Sequence, residues 1–357
     1  MNYYCVNFQV MPSRASRVIG VLLFAIALVY FIRLSNQDEP KQQAFTGLTM
    51  GTIPYTVKVI ATASMPIGSG IDSVLKAFNQ SLSTYIPDSE ISNFNRLDTL
   101  VFESGLFHPV LKRSQEIYEA TNGAFDPTVG PLVNVWGFGP DKSIKVPDSV
   151  IIDSLLQLTG FDQIKFNRSY ATKQPGMSLD FSAIAKGYAI DLVAEFVESY
   201  GIEHYMVEIG GEVRARGKNL KGKGWSIGID DPLVAKNERK MLAILEINDL
   251  SLATSGNYRN YYEKYGIVYA HIIDPRTGYN KHHDLLSASV FSSDCMTADA
   301  YATGFMVMGL EESIKMVEQD PELEALLLYQ ENGEIKSYVS PGLRSAIIVL
   351  NSSNWEQ

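Results

Sequence analysis

The segment from Tyr205 to about Val290 contains short β-type runs separated by Gly, Asn, Asp and Pro: YMVEI (205–209), VRARG (213–217), WSIGI (225–229), AILEI (243–247), SLATS (251–255), YAHII (269–273) and SASVF (287–291). Short runs bounded by turn residues are typical of strands joined in a meander, not of a βαβ series. Helical patterns flank this segment on both sides. We therefore predict an α+β fold: one domain with a mixed or antiparallel sheet and packed helices.

The flanking elements are predicted from apolar periodicity and from stop signals. A short strand at Leu179–Phe181 is expected to run directly into a long helix from Ser182 to Tyr200. The last two runs, ALLLYQ and IKSYVS, are expected to form a hairpin across Glu331-Asn332-Gly333. The other predicted elements are a strand at 55–61 and helices at 71–85, 109–121, 147–158, 297–310 and 311–318.

The N-terminal region has the features of a membrane-targeting segment. An uncharged apolar run extends from Val18 to Ile32, and Arg14 and Arg17 precede it. By the positive-inside rule, the N-terminus stays in the cytoplasm and the chain after Arg33 crosses the membrane. The run is shorter than the roughly 20 residues that span a bilayer comfortably, so a cleaved signal peptide competes with an uncleaved signal-anchor.

The predicted organisation of the chain follows from this segment. No A-x-A-like cleavage site follows Ile32, which favours the anchor, while the start codon, Met1 or Met11, stays open. We expect a cytoplasmic tail with the signal-anchor, a polar linker, one catalytic domain outside the cytoplasm and a short tail, at residues 1–34, 35–43, 44–350 and 351–357.

Composition and motif searches exclude several classes of protein. The chain of 357 residues has a formal net charge of −10, and it shows no cluster of Lys and Arg of the kind that nucleic-acid binding needs. Its two cysteines, Cys5 and Cys295, lie on opposite sides of the apolar run and cannot form a disulfide framework or a closed zinc site. Neither a P-loop nor a complete dinucleotide-binding glycine motif is present.

Small residues open the long helix in the motif SLDFSAIAKGYAID (178–191). Small side chains let a phosphate approach the free N–H groups of a first helical turn, and Lys186 would add a formal positive charge. The alternative is a lysine that extends off an ordinary amphipathic helix into solvent. Taken alone, the motif favours this alternative.

Asp299 and Thr303 lie four residues apart in ADAYATG (298–304), hence on one face of a predicted helix. A carboxylate and a hydroxyl are oxygen ligands of the kind that Mg²⁺ prefers, with phosphates and water completing its shell. A helix start with Thr297 as the N-cap and Asp299 in the first turn explains the pair equally well.

A histidine precedes a predicted turn in HIIDPRTG (271–278), where Asp, Pro and Gly favour a reversal of the chain. His271 is the histidine best placed for proton transfer near neutral pH. The alternative is a hydrogen-bonded strand histidine without a chemical role.

Together these segments resemble the FAD:protein FMN transferase (ApbE-like) family, and they occur in the order of that family. The resemblance extends from about residue 47 to 310 and rests on eight motifs: TMGT, LSTYIPDSEIS, GAFDPTVGPLVNVWGFGP, LDFSAIAKGYAID, IGGEVRARG, ATSGNY, HIIDPRTG and ADAYATG. Each motif is weak alone, whereas eight in order are specific.

The resemblance implies site residues by position. Asp299, Thr303 and the Ala183 carbonyl are implied as Mg²⁺ ligands, and Lys186 as the partner of the FAD pyrophosphate. The family usually has D-L-G-G-I-A-K-G where this chain has D-F-S-A-I-A-K-G, but a carbonyl ligand at position 183 tolerates any small side chain. The positions implied to contact FAD are Met50, Tyr85, Ala124, Phe125, Asp126, Asp180, Lys186, His271 and Ile272.

The activity implied is Mg²⁺-dependent transfer of FMN from FAD to a Ser or Thr hydroxyl of another protein, with release of AMP. His271 is the candidate general base, and Asp299 could take that role instead. The acceptors implied are flavoprotein subunits of membrane redox complexes, at the outer side of a bacterial inner membrane. Two alternatives stay open: an FAD pyrophosphatase that forms FMN and AMP, and a non-catalytic flavin-binding membrane protein.

Overall fold

The structure is a computed structural model that describes residues 22–26, 39–138, 146–231, 240–256, 261–264, 267–270, 272–280 and 284–350. Residues 22–26 are helical. Within the described ranges, no helix has the length and apolar character needed to cross a membrane. The predicted anchor segment, apart from residues 22–26, lies outside these ranges.

The helices of the domain are α1 (Gly68–Leu82), α2 (Glu90–Arg96), α3 (Phe107–Ala120), α4 (Gly130–Val135), α5 (Ser149–Leu156), α6 (Ala185–Ser199), α7 (Cys295–Met308) and α8 (Leu310–Gln319). The strands are β1 (Lys41–Thr49), β2 (Ile53–Ala61), β3 (Thr99–Val101), β4 (Lys165–Phe166), β5 (Tyr170–Thr172), β6 (Tyr205–Ile209), β7 (Glu212–Arg216), β8 (Trp225–Asp230), β9 (Met241–Ile247), β10 (Leu250–Gly256), β11 (Tyr261–Lys264), β12 (Ile267–Ala270), β13 (Leu285–Ser292), β14 (Glu324–Glu331), β15 (Glu334–Val339) and β16 (Ile347–Leu350).

An eight-stranded sheet in the order β1-β2-β6-β7-β10-β13-β14-β15 forms the centre of the domain. All of its neighbouring strands pair antiparallel. Smaller antiparallel sheets have the orders β16-β9-β8, β3-β5-β4 and β11-β12. The predicted α+β fold is confirmed, and its sheets are antiparallel.

The central sheet is covered by apolar residues on both faces. Side chains of a strand point alternately to its two sides, so neighbouring residues of β6 show what covers each face. Tyr205 and Val207 of β6 belong to the apolar core that contains residues of α1, α6 and α7. Met206, between them, packs instead with residues of β8 and β9. This double burial explains why β6 reads as a nearly continuous apolar run.

Several predicted boundaries are confirmed with small shifts. The predicted hairpin is formed by β14 and β15, and Asn332 and Gly333 both have positive φ angles, of 52° and 83°. Asn122 and Gly123, after α3, also have positive φ angles, as the predicted helix stop requires. Strand β1 begins at Lys41, so the last residues of the predicted linker are part of the sheet.

The prediction for residues 179–184 is wrong, since Leu179–Phe181 is not a strand and α6 begins at Ala185 rather than Ser182. The backbone of Leu179 is bonded on both sides by the side chain of Asn95, with N···O distances of 2.7 and 2.8 Å. Asp180 N–H donates to the Pro127 carbonyl at 2.7 Å. These partners satisfy the backbone in place of a neighbouring strand.

Candidate active site

Helix α7 carries Asp299 and Thr303 on the same side, one turn apart. The helix begins at Cys295, and the Asp294 side chain caps it by accepting from Thr297 N–H at 2.8 Å. The alternative reading of Thr297 as the N-cap is therefore wrong, and Asp299 lies beyond the first turn. Its side chain is buried inside the domain and needs partners there.

The first turn of α6 supplies one partner for that buried carboxylate. Gly187 N–H donates to Asp299 Oδ2 at 3.0 Å. This N–H group is one of those expected to bind a phosphate, and it donates to Asp299 instead. Ala185 N–H likewise donates to the Phe181 carbonyl, at 2.8 Å. The positive end of the helix dipole stabilises a side-chain carboxylate here.

Gly187 also allows α6 and α7 to approach each other closely. A Cβ at this position would lie 2.2 Å from the Cys295 carbonyl oxygen and 2.7 Å from Met296 N. Asp191, one turn further along α6, accepts from Cys295 N–H at 2.9 Å and from Met296 N–H at 2.8 Å. Asp191 therefore joins the start of α7 to α6, and this contact holds Asp299 beside Gly187.

Lys186 does not extend freely into solvent; it lies between two carboxylates. Its Nζ forms an ion pair with Glu212 Oε1 and lies 3.9 Å from Asp299 Oδ1. Burial alone would lower the pKa of Lys186, but Asp299 and Glu212 raise it well above its usual range. The lysine therefore stays charged, and the solvent-extended alternative is wrong for this structure.

Glu212 was assigned no role by sequence reasoning, although it lies in the IGGEVRARG motif. It is the first residue of β7, directly after Gly210 and Gly211, whose φ angles are 61° and 100°. Burial and the negative charge of Asp299 raise the pKa of Glu212, although Lys186 opposes the shift. The sequence signal for Glu212 is a glutamate that directly follows two glycines at the start of a strand.

A cavity of about 520 Å³ lies beside Lys186. Lys186, whose side chain is 28% exposed, forms part of its wall. Predicted FAD-contacting residues brought together here are Met50, Tyr85, Asp180 and Lys186, and apolar walls are provided by Ile53, Phe78, Leu82 and Phe181. Tyr85 is 77% exposed and stands at this cavity with its ring available to a ligand. A cavity of this size, mostly apolar with a few polar groups, suits a flat ring system carrying a charged group.

The other predicted FAD-contacting positions are placed differently. Ala124, Phe125 and Ile272 are buried. Asp126 caps the short turn after it, accepting from Thr128 N–H at 2.8 Å, and it lines a separate cavity of about 310 Å³ together with Arg276. Burial raises the pKa of Asp126 to about 6, although hydrogen bonds from Thr128 oppose the shift.

The predicted turn at 274–278 is confirmed, with Gly278 N–H donating to the Asp274 carbonyl at 2.8 Å. Asp274 also holds the Arg276 guanidinium through two bonds of 2.9 Å. His271 lies outside the described residues, so its role as base stays a prediction.

Asp299 and Thr303 offer oxygen ligands of the kind that a hard divalent cation takes. Thr303 Oγ1 lies 3.0 Å from Ser255 Oγ, and Ala183 is half-buried next to α6. Glu212 Oε2 is buried and has no hydrogen-bond partner among the described residues. The described ranges contain no group of three or more His, Cys, Asp or Glu that could hold a metal alone. This donor set suits Mg²⁺, which takes few protein ligands and keeps places for phosphates.

Comparisons with known proteins identify the family of the chain. The model of the ApbE family matches residues 50–327. An FAD:protein FMN transferase of Vibrio cholerae is 38% identical over 328 residues, covering 89% of this chain and 97% of the relative. The corresponding Escherichia coli K12 protein is 34% identical over 346 residues, covering 92% and 97%.

Solved structures indicate the same family. The flavin transferase ApbE from Vibrio cholerae superposes with a TM-score of 0.76 at 35% identity, covering 86% of this chain and 99% of the other. The apo form of the flavinyl transferase ApbE from Pseudomonas stutzeri gives 0.77 at 32% identity, covering 86% and 97%. The chain therefore belongs to the ApbE family, and it is a transferase of the FAD:protein FMN transferase kind.

Proposed function

We propose that the chain transfers FMN from FAD to a Ser or Thr hydroxyl of an acceptor protein, in a Mg²⁺-dependent reaction that releases AMP. The observation that carries this proposal is the position of Lys186, which lies at the wall of the 520 Å³ cavity and also contacts the carboxylates of Glu212 and Asp299. A ligand whose ring system occupies the cavity would bring its pyrophosphate to this charged cluster.

The reaction exchanges one bond to the FMN-side phosphorus for another. The acceptor hydroxyl oxygen forms a bond to the FMN-side phosphorus, and the bond from that phosphorus to the bridging oxygen breaks. AMP leaves with the bridging oxygen, and the hydroxyl proton passes to a base, for which His271 is the candidate. The protein product carries FMN as a phosphoester.

The residues of the chain would orient the substrate and neutralise charge. Met50, Tyr85 and Asp180, which line the cavity, would hold the flavin end there, and the Lys186 ammonium would face the pyrophosphate. When bound by Asp299, Thr303 and the Ala183 carbonyl, Mg²⁺ would supply Lewis-acid stabilisation of the charge that develops on the phosphate oxygens. Because Asp299 is engaged by Gly187 N–H and would bind the metal, His271 is the better base.

The location and the acceptors are also proposals. The arginines before the apolar run support export of the domain, with the N-terminal segment retained as an anchor in a bacterial inner membrane. Flavoprotein subunits of membrane redox complexes are the acceptors that suit this location.

The test is to incubate the full chain with FAD, Mg²⁺ and a candidate acceptor, and then to separate the proteins by denaturing electrophoresis. Flavin fluorescence that stays with the acceptor, and that depends on Mg²⁺, is expected. Free FMN and AMP without a labelled acceptor would instead indicate an FAD pyrophosphatase. A candidate acceptor with its target Ser or Thr replaced by Ala serves as the matched control.

A further inference from the structure

The turn between β6 and β7 packs against the Lys186 side chain. A Cβ at Gly210 would lie 2.9 Å from Ile53 Cγ2 and 3.8 Å from Lys186 Cδ. The turn is therefore packed against both the cavity wall and the aliphatic part of the lysine. Glu212 follows two residues later and contacts the other end of the same side chain, the ammonium.

The two carboxyl oxygens of Glu212 differ in their surroundings. Oε1 accepts from the Lys186 ammonium, while Oε2 is buried and accepts no hydrogen bond from a donor in the described part of the chain. The Asp299 carboxylate lies beside the same carboxyl group. A buried carboxylate oxygen without a partner is costly, so its presence calls for a reason. The residue is 4% exposed and cannot gain that partner from bulk water.

The Lys186 ammonium has two carboxyl groups within 4 Å in the described part of the chain, those of Glu212 and Asp299. Lys186 lies in direct contact with Glu212 and 3.9 Å from Asp299 Oδ1. If Glu212 were removed, Asp299 would be the remaining carboxylate, and the flexible lysine would move onto it.

We propose that Glu212 is a positioning residue that holds the Lys186 ammonium away from Asp299 Oδ1 and so keeps this oxygen available to the divalent cation. The inference rests on the Mg²⁺ site of the proposed function. Glu212 thus acts through Lys186.

Three variants separate this role from a merely structural one. Glu212→Ala leaves Lys186 free to pair with Asp299. Glu212→Ala combined with Lys186→Met removes the competing ammonium as well. Glu212→Gln removes the charge but keeps an oxygen that can hold the lysine.

The measurement is the apparent Kd for Mg²⁺, obtained from the Mg²⁺ dependence of the melting temperature of the FAD-saturated full chain without acceptor. Glu212→Ala is expected to weaken Mg²⁺ binding by about 10- to 100-fold, the usual effect of losing a residue that orients a metal ligand. The double variant is expected to recover most of the lost Mg²⁺ affinity, and Glu212→Gln is expected to weaken binding less than Glu212→Ala.

Glu208→Ala is the matched control, because Glu208 accepts from Gly211 N–H at 2.7 Å in the same turn. Its Mg²⁺ affinity is expected to equal that of the wild type. Equal Mg²⁺ affinities of wild type and Glu212→Ala would overturn this inference and leave the proposed function standing. The inference would also be overturned if the double variant, or Glu212→Gln, bound Mg²⁺ as weakly as Glu212→Ala. A wild-type chain that does not bind Mg²⁺ would overturn the metal site of the proposed function as well.

Discussion

Replacing Gly187 by alanine is expected to damage both the stability and the activity of the enzyme. The added Cβ would lie 2.2 Å from the Cys295 carbonyl oxygen and 2.5 Å from its carbon. Since non-bonded heavy atoms normally lie about 3.5 Å apart, α6 and α7 would have to separate by about 1 Å. The obstacle is backbone and not the end of a flexible side chain, so it cannot rotate away.

The size of the effect follows from this displacement. Overpacking of this kind costs about 1–3 kcal/mol, and loss of the hydrogen bond to a buried charge adds about 1.5–3 kcal/mol. A shift of about 1 Å would lengthen the Gly187 N–H···Asp299 contact of 3.0 Å beyond hydrogen-bonding distance. A misplacement of about 1 Å at reacting groups can lower the rate by about 100-fold.

The assay compares urea unfolding and the rate of FMN transfer in Gly187→Ala and in a matched control, Gly304→Ala. A Cβ at Gly304 would lie at ordinary contact distances, 3.4 Å from Thr121 Cγ2 and 3.5 Å from Phe125 Cβ. The control is therefore expected to be neutral or to gain about 0.5–1 kcal/mol from the better helix former. If Gly187→Ala unfolds and reacts like Gly304→Ala, the close approach of α6 and α7 does not position Asp299, and the reasoning is refuted.

Three further predictions concern the metal site and a buried carboxyl. Asp299→Ala is expected to lower the rate by at least about 100-fold, because a bound metal supplies several kcal/mol of charge stabilisation. Thr303→Ala is expected to lower it by about tenfold, the equivalent of one lost polar contact; wild-type rates and unchanged Mg²⁺ dependence in both would contradict the metal assignment. Ser255→Ala removes the hydroxyl that lies 3.0 Å from Thr303 Oγ1, so it is expected to raise the Mg²⁺ concentration for half-maximal activity. Thr254→Ala, whose hydroxyl lies 2.9 Å from Ser289 Oγ instead, should not raise this concentration, and an equal rise in both variants would argue against Ser255 as a positioning residue. Burial raises the folded-state pKa of Asp126 from 3.8 to about 6, so its favourable contribution is present below pH 3.8 and is lost as the pH rises through 6. Asp126→Asn is therefore expected to be more stable than wild type at pH 8, by at most about 3 kcal/mol, with no such gain near pH 4; urea unfolding at both pH values that shows the same difference would contradict this.

The sequence predicted those parts of the fold that depend on local patterns. The β-type runs between 205 and 291 indicated antiparallel strands, and Asn-Gly pairs marked the end of α3 and the β14–β15 turn. The α7 face with Asp299 and Thr303 followed from helical spacing alone. Its true start was missed, although Asp294 three residues before Thr297 is itself a capping signal.

Features that depend on distant contacts could not be predicted in the same way. The strand expected at 179–181 is absent because Asn95, 84 residues away in sequence, bonds the Leu179 backbone. Gly187 and Asp299 are 112 residues apart, and their bond depends on the packing of α6 on α7. Glu212 reaches Lys186 only because the Gly210–Gly211 turn folds β7 back beside the helix. The periodicity of the sequence does not indicate such contacts.

The central claim, covalent transfer of FMN, is tested most directly by the intact mass of an acceptor protein incubated with the full chain, FAD and Mg²⁺. The account predicts that the acceptor gains the mass of one FMN less one water, that one AMP appears for each modified acceptor, and that Asp299→Ala abolishes both. An acceptor of unchanged mass, with FAD converted to free FMN and AMP, would contradict it.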